Sequence, residues 1–287
     1  MRLFRALIHS NFFVAGVLGV LTCSTYFNIS NLEHRWYVIV SVILGSFTLY
    51  TFHRLYKIDF IPKAQLSDRH TWVLSNEKWL KMAMVVAVFL AMIILPNFAA
   101  DSIVWLIPAA IVSIGYTVPF IPTDSKWWRL RDIPFTKPII IAFVVTYLTY
   151  AFPVFEQSGI TELVQPQVAR GFLERFLFLL TVTIPFEIRD TLADKEAGLE
   201  TLSTAFGLKR AKQLAMLISV AWFASIAAGL VVMMLWTPIV VYVLLELVLI
   251  YSISRISDQW NELCFTMVFE GFIIIYGLLG MLLQVLA

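Results

Sequence analysis

Charged residues are scarce in this sequence. Asp, Glu, Lys and Arg make up 14% of its 287 residues, whereas 60% are hydrophobic and the mean hydropathy is +0.84. Soluble domains usually contain about 25% charged and about 45–50% apolar residues. The composition therefore excludes an ordinary soluble domain and predicts an integral membrane protein.

Cysteine is equally scarce, and the apolar runs lack the alternation that is typical of strands. Cys23 and Cys264 both fall inside apolar runs, which argues against a disulfide framework or a cysteine metal site. Without alternation a β-barrel is a poor fit. No small-residue cleavage site follows the first run, so we expect that helix to be retained rather than removed as a signal peptide.

Long apolar runs are what the sequence does contain. A helix needs about 20 apolar residues to cross roughly 30 Å of hydrocarbon. We predict an all-α fold, a polytopic bundle of nine transmembrane helices that forms one domain over residues 1–287. The predicted spans cover residues 10–27, 36–53, 79–98, 102–120, 138–155, 171–188, 213–235, 237–254 and 264–286.

Basic residues are distributed unevenly between the connections. If the N-terminus and every second connection lie on one side, that side holds 18 of the 21 Lys and Arg residues, and the other keeps Arg35, Arg170 and Arg175. The positive-inside rule then places the N-terminus in the cytoplasm and the C-terminus outside. We expect a bacterial plasma membrane. Because topology accounts for the basic residues, nucleic-acid binding is not indicated.

Several carboxylates collect between residues 184 and 207, where the sixth run meets a charged loop. On a continuous helix Glu187, Asp190 and Asp194 would share one face, with the two aspartates one turn apart. Their repulsion must be offset by a divalent cation, a cationic ligand or nearby Arg and Lys side chains. Magnesium is usually held by one or two carboxylates plus substrate phosphates. An ordinary solvated helix is the alternative interpretation.

Two other cytoplasmic connections carry candidate anion-binding residues. The group at the end of the second run comprises His53, Arg54, Lys57 and Asp59. The group in the fourth connection comprises Arg129, Arg131 and Lys137. These basic side chains could donate hydrogen bonds to phosphate oxygens. The alternative is that they are topological anchors whose charged ends reach the membrane surface.

Two isolated acids, Glu246 and Glu270, lie inside the eighth and ninth runs. Intramembrane carboxylates are costly and usually face a cavity or a partner. Coupling to protons or ions in a transporter is one use for them. A hydrogen-bonded glutamate packed between helices is the other.

The second half of the acidic stretch resembles a signature of the UbiA superfamily of intramembrane prenyltransferases. The matching positions are Asp190, Asp194, Gly198, Thr201, Leu202 and Gly207. The likeness covers nearly the whole chain and includes the connection from Tyr116 to Lys137, although Ser203 stands where proline is usual. The first signature, Asn-x-x-x-Asp-x-x-x-Asp, departs further: registered on Asp59, this chain has Thr51 and Leu55 at the first two positions.

The resemblance implies a prenyltransferase that moves an isoprenoid chain from its diphosphate to a lipid-soluble or aromatic acceptor, among membrane lipids at the cytoplasmic face. It implies Mg²⁺ as cofactor, with Asp190 and Asp194 as catalytic residues and Asp59, Asp190 and Asp194 as metal ligands. The residues expected to bind the diphosphate are His53, Arg54, Arg131, Lys137 and Arg189. The altered first signature leaves an alternative, a non-catalytic UbiA-like protein that binds a polyprenyl lipid or quinone.

Overall fold

The computed structural model describes residues 2–29, 32–58, 67–123, 127–257 and 260–286. Almost all of these residues are helical, as the composition predicts. In chain order the helices are α1 (Arg2–His9), α2 (Phe12–Asn28), α3 (Trp36–Ile58), α4 (Asp68–Ser75), α5 (Glu77–Ile94), α6 (Ala100–Gly115), α7 (Lys137–Thr146), α8 (Phe152–Leu163), α9 (Pro166–Arg189), α10 (Thr191–Glu196), α11 (Leu202–Val232), α12 (Trp236–Ser254), α13 (Glu262–Phe265) and α14 (Gly271–Leu286).

Shorter elements complete the chain. Two π-helical segments, Tyr147–Ala151 and Thr266–Glu270, join α7 to α8 and α13 to α14, and α8 itself has a kink at Gly159. Short 3₁₀ turns cover Leu95–Asn97 and Leu130–Asp132. The strands β1 (Ile121–Pro122) and β2 (Trp127–Trp128) form a small antiparallel hairpin. The fold is thus all-α, with a minimal hairpin in one connection.

Each of the nine predicted apolar runs overlaps a helix, and six helical segments are long and apolar enough to cross a membrane. Those six are Trp36–Tyr56, Glu77–Asn97, Lys137–Leu163, Leu202–Val232, Trp236–Ser254 and Glu262–Leu283. Phe12–Asn28 and Ala100–Gly115 are apolar but shorter. The chain is therefore an integral membrane protein, and the count of nine crossings stays a prediction.

The long helices pack side by side, and the last returns to the first. Helix α9 packs against α7 and α11, while α2 packs against α3 and α14. The main core contains Phe178, Trp222 and Tyr276, with the Phe178 and Tyr276 rings stacked 4.2 Å apart. Many large apolar side chains are exposed instead on the outer surface, such as Val85 and Leu217. This distribution is the one expected for a bundle whose outer face meets lipid.

Candidate functional site

The two aspartates of the acidic stretch converge on one ammonium group. Helix α9 ends at Arg189, Asp190 lies in the turn that follows, and Asp194 lies in α10. The N–H of Asp194 donates to the carbonyl of Asp190 at 2.9 Å, which keeps the predicted spacing of one turn. Lys137 Nζ donates to Asp194 Oδ2 at 2.8 Å and to Asp190 Oδ2 at 3.2 Å. Lys137 therefore offsets the repulsion of the pair.

Two glycines and a threonine of the motif shape the chain around this pair. Gly198 has φ +67° and Gly207 has φ +79°, conformations that L side chains adopt only with strain. Thr201 caps α11, and its hydroxyl accepts from the N–H of Thr204. Gly198 thus forms a left-handed turn after α10, and Gly207 breaks α11. The chain after this turn packs back against α9.

The continuous helix predicted through Glu187, Asp190 and Asp194 is interrupted at one residue, because α9 ends at Arg189 and α10 begins at Thr191. The buried Glu187 accepts from the N–H of Ser203 at 3.2 Å, and the Ser203 hydroxyl donates to the carbonyl of Glu187 at 3.3 Å. Proline at position 203 would have no N–H to donate. The serine that departs from the motif therefore holds the Glu187 carboxylate through its N–H, while Glu187 stays within electrostatic range of Lys137 and Asp194.

Lys137 contacts the aspartates because the connection before α7 is hydrogen-bonded to, and packed against, the segment after α10. The N–H of Phe135 donates to the carbonyl of Glu200 at 3.2 Å, and the rings of Phe135 and Phe206 stack 5.5 Å apart. Lys137 is the first residue of α7 and Pro138 the second, a favoured place for proline. The connection before α7 is thus held over the motif that follows α9.

Arg189 adds a second cation to the site. Its Nε donates to Asp190 Oδ1 at 2.8 Å, and its guanidinium lies 5.1 Å above the ring of Phe186. Burial alone would raise the pKa of Asp190. The neighbouring charges of Arg189 and Lys137 outweigh that effect and hold the pKa of this carboxyl well below its usual range. Asp190 therefore stays ionised at neutral pH.

Arg131, Tyr116 and His53 lie at the edge of this cluster. Arg131 is largely buried, and its Nε has no hydrogen-bond partner among the described residues. Arg131 lies within electrostatic range of Tyr116 and Asp194. The His53 ring contacts the hydroxyl of Thr117 and lies 6.0 Å from the Tyr116 ring. These side chains therefore border the pair of aspartates.

Arg54 belongs to a second polar cluster at the ends of α1 and α3. Its Nη1 donates to the carbonyl of His9 at 2.9 Å. Beside it, Arg69 of α4 makes a 2.5 Å ion pair with Glu262, the first residue of α13. We call Arg54, Arg69, His9 and Glu262 the arginine cluster. Arg69 and Glu262 were not predicted from the sequence, because no spacing links residues that are 193 positions apart.

The predicted site residues thus fall into three groups. Those brought together around the aspartates are Asp190, Asp194, Lys137 and Arg189, with Arg131 and His53 at the edge. Arg54 lies in the arginine cluster. Asp59, the predicted metal ligand of the first signature, lies outside the described residues.

The pair of aspartates fits magnesium chemically. Two carboxylate oxygens already converge on one positive charge, that of Lys137. Within the described ranges no three His, Cys, Asp or Glu side chains are grouped to hold a metal. An ion at Asp190 and Asp194 would therefore complete its shell with phosphate or water oxygens, as magnesium commonly does.

Glu246 and Glu270 have different surroundings. The buried Glu246 accepts from the hydroxyl of Ser219 at 2.6 Å, which favours the hydrogen-bonded packing interpretation. Glu270 ends the second π segment, within electrostatic range of Arg69 and Arg189. Neither contact favours the transporter interpretation over a structural one.

The fold matches solved structures of UbiA homologues. A structure of a UbiA homologue from Archaeoglobus fulgidus bound to GPP and Mg²⁺ has a TM-score of 0.64 at 17% identity, covering 98% of this chain and 99% of that one. The same homologue bound to DMAPP and Mg²⁺ gives 0.63 at 17% identity, covering 94% and 97%. A structure of digeranylgeranylglyceryl phosphate synthase gives 0.55 at 13% identity, covering 98% and 94%.

At these identities the likeness shows a shared fold. No family model matches the chain, and no curated protein matches it in sequence. The structural comparison nevertheless confirms the predicted resemblance to the UbiA superfamily in the arrangement of the helices, over nearly the full length of the chain.

Proposed function

We propose that this chain is a UbiA-type prenyltransferase, which transfers an isoprenoid chain from its diphosphate to an acceptor at the cytoplasmic membrane face. The observation that carries the proposal is the convergence of Asp190 and Asp194 on one cationic position at the end of α9. The fold around them is shared with a UbiA homologue whose structure holds GPP and Mg²⁺. We further propose one domain, a cytoplasmic N-terminus and an external C-terminus, in a bacterial plasma membrane.

The side chains around the aspartates suit this chemistry. Bound magnesium supplies positive charge that stabilises the leaving diphosphate. Asp190 and Asp194 provide its protein ligands, while Lys137, Arg131 and Arg189 donate charge-assisted hydrogen bonds to phosphate oxygens. The rings of His53 and Tyr116 lie beside the same cluster. The face of Tyr116 can stabilise an allylic cation by about 0.5–2 kcal/mol, so the cation would form next to a suitable surface.

The proposal predicts magnesium-dependent transfer that requires both aspartates. We would incubate the purified chain with a panel of radiolabelled allylic diphosphates and candidate aromatic and lipid acceptors, with and without Mg²⁺. Asp190→Asn and Asp194→Asn should each lower turnover at least about 100-fold, since magnesium loses one of two protein ligands. Glu196→Gln, a matched change at an exposed carboxylate of α10, should leave turnover unchanged. Equal activity in all three variants would contradict the assignment.

A binding protein is the second candidate function, favoured by one observation. Two positions of the first signature are used for packing here: Thr51, where the signature has Asn, is fully buried, and Leu55, where it has Asp, packs against Val73 and Leu80. Such a protein would bind a polyprenyl lipid or quinone without chemistry. Binding of a prenyl diphosphate without release of diphosphate, across all acceptors offered, would select this function.

A further inference from the structure

Near the end of α3, Thr51 and Leu55 stand where the first signature has Asn and Asp, and Asp59, which matches the signature, lies outside the described residues. The hydroxyl of Thr51 accepts from Asn11 Nδ2 at 3.2 Å, inside the protein. Leu55 lies in an apolar cluster with Val73 and Leu80. Neither side chain supplies a carboxylate, so the described residues at this end of the helix do not fit a magnesium ion.

Guanidinium groups lie at the same end of the helix. Arg54 Nη1 donates to the carbonyl of His9 at 2.9 Å, and Arg69 Nη2 donates to the neighbouring carbonyl of Ile8 at 3.3 Å. Two adjacent carbonyls thus hold two arginines side by side. Like charges in a partly buried region repel each other because water screens them poorly. The arrangement therefore favours an anion that contacts both.

The carboxylate of Glu262 does not pair with every guanidinium N–H group of the arginine cluster. Glu262 pairs with Arg69, but in the described part of the chain no carboxylate lies within ion-pair distance of Arg54. The buried Nε of Arg69 and the buried Nδ1 of His9 have no hydrogen-bond partner among the described residues. Burial, and then the charge of Arg69, lower the pKa of His9. Among the described residues, the arginine cluster thus contains one buried guanidinium N–H, that of Arg69 Nε, without an acceptor.

We propose that Arg54 and Arg69 bind phosphate oxygens of the prenyl diphosphate directly, in place of the metal that the resemblance predicts at the end of α3. This inference rests on the proposed function. Arg189, which pairs with Asp190, lies within electrostatic range of Arg54 and Glu262 and so connects the arginine cluster with the aspartates. Planar guanidinium groups suit phosphate, because their parallel N–H groups match two oxygens.

Calorimetric titration of the full chain in detergent tests the proposal, with geranyl S-thiolodiphosphate as a non-hydrolysable probe. The parent protein should bind the probe with Mg²⁺ and, more weakly, with EDTA. Arg54→Gln and Arg69→Gln should each weaken binding in EDTA by about 10- to 150-fold, the range for a hydrogen bond to a charged group. Arg255→Gln, which removes an exposed arginine at the end of α12, should have no effect.

Glu262→Gln gives an independent readout of opposite sign. Removing this carboxylate frees Arg69 and takes away a negative charge, so binding in EDTA should become tighter. A purely structural ion pair predicts unchanged or weaker binding in Glu262→Gln, and that result would overturn the inference. It would also be overturned if the parent protein bound the probe only with Mg²⁺, which leaves the proposed function intact. No binding under either condition would overturn the proposed function itself.

Discussion

Lys137 takes the position of a counter-ion to the two aspartates. Its ammonium contacts one oxygen of each carboxylate and is mostly shielded from solvent. A magnesium ion that uses the same oxygens has to displace it. The released ammonium then becomes a donor for phosphate, so binding of the ion and of the diphosphate should favour each other.

Lys137→Gln should therefore tighten the binding of Mg²⁺ in the absence of diphosphate. We expect about a tenfold gain, because a hydrogen bond to a charged group is worth about 1.5–3 kcal/mol and 1.4 kcal/mol is tenfold. The same variant should bind the diphosphate probe more weakly. Titration calorimetry with magnesium chloride alone measures the first effect.

Lys195→Gln is the matched control for this prediction. Lys195 is exposed and lies next to Asp194 in α10, so its removal changes the net charge equally without touching the carboxylate oxygens that Lys137 contacts. Equal Mg²⁺ affinity in Lys137→Gln and the parent would show that Lys137 does not compete with the ion.

Helix α9 is fastened to its neighbours by a buried arginine. Arg175 is 1% exposed and donates to the carbonyls of Leu21 at 2.9 Å and Thr149 at 2.8 Å, and to the hydroxyls of Thr25 and Ser24. Thr149 lies in the first π segment, where the altered hydrogen-bond pattern exposes carbonyls to new partners. One side chain thus joins α2, the π segment and α9, which carries Arg189 and leads into Asp190.

Arg175→Met should destabilise the protein strongly. Methionine fills similar space but makes none of the hydrogen bonds that the buried guanidinium donates, and a hydrogen bond to a charged group is worth about 1.5–3 kcal/mol. We expect a lower midpoint of thermal unfolding in detergent, read from the monodisperse peak in size-exclusion chromatography after heating. Arg170→Met removes an exposed arginine of the same helix, whose ion pair with Glu174 at 3.4 Å should contribute less than about 1 kcal/mol. Equal decreases in the unfolding midpoint of both variants would contradict a stabilising role for the buried Arg175.

The predicted orientation of the bundle in the membrane follows from the uneven distribution of basic residues between its two sides. With nine crossings, helix α10, which contains Lys195, faces the cytoplasm, and the turn after α11, at Met234, faces outside. Both positions are exposed, so single cysteines there can be labelled. The native Cys23 and Cys264 are replaced first, since the latter is exposed.

In sealed right-side-out vesicles, a membrane-impermeant thiol reagent should label a cysteine at position 234 and not one at position 195. Opening the vesicles with detergent should make position 195 reactive, which controls for an unreactive thiol. Labelling of both positions from the outside would contradict the predicted topology.

The sequence by itself determined the class of this protein and half of its candidate site. Apolar runs long enough to cross a bilayer predict helices whatever their neighbours, because backbone hydrogen bonds cannot go to lipid. The spacing of Asp190 and Asp194 is likewise local, as is the need for glycine at the left-handed positions 198 and 207. Such features depend on a few consecutive residues and are visible without the fold.

Only the tertiary structure decided which charges meet. Lys137 reaches aspartates 53 and 57 positions away, and Arg69 reaches Glu262 across 193 positions. The packing of Arg175 between helices is equally non-local, although the charge pattern alone counts it as a surface residue of the external side. Which of many possible partners a charged side chain finds depends on how helices distant in sequence pack. The arginine cluster at the end of α3 therefore became visible only when α1, α3, α4 and α13 were brought together.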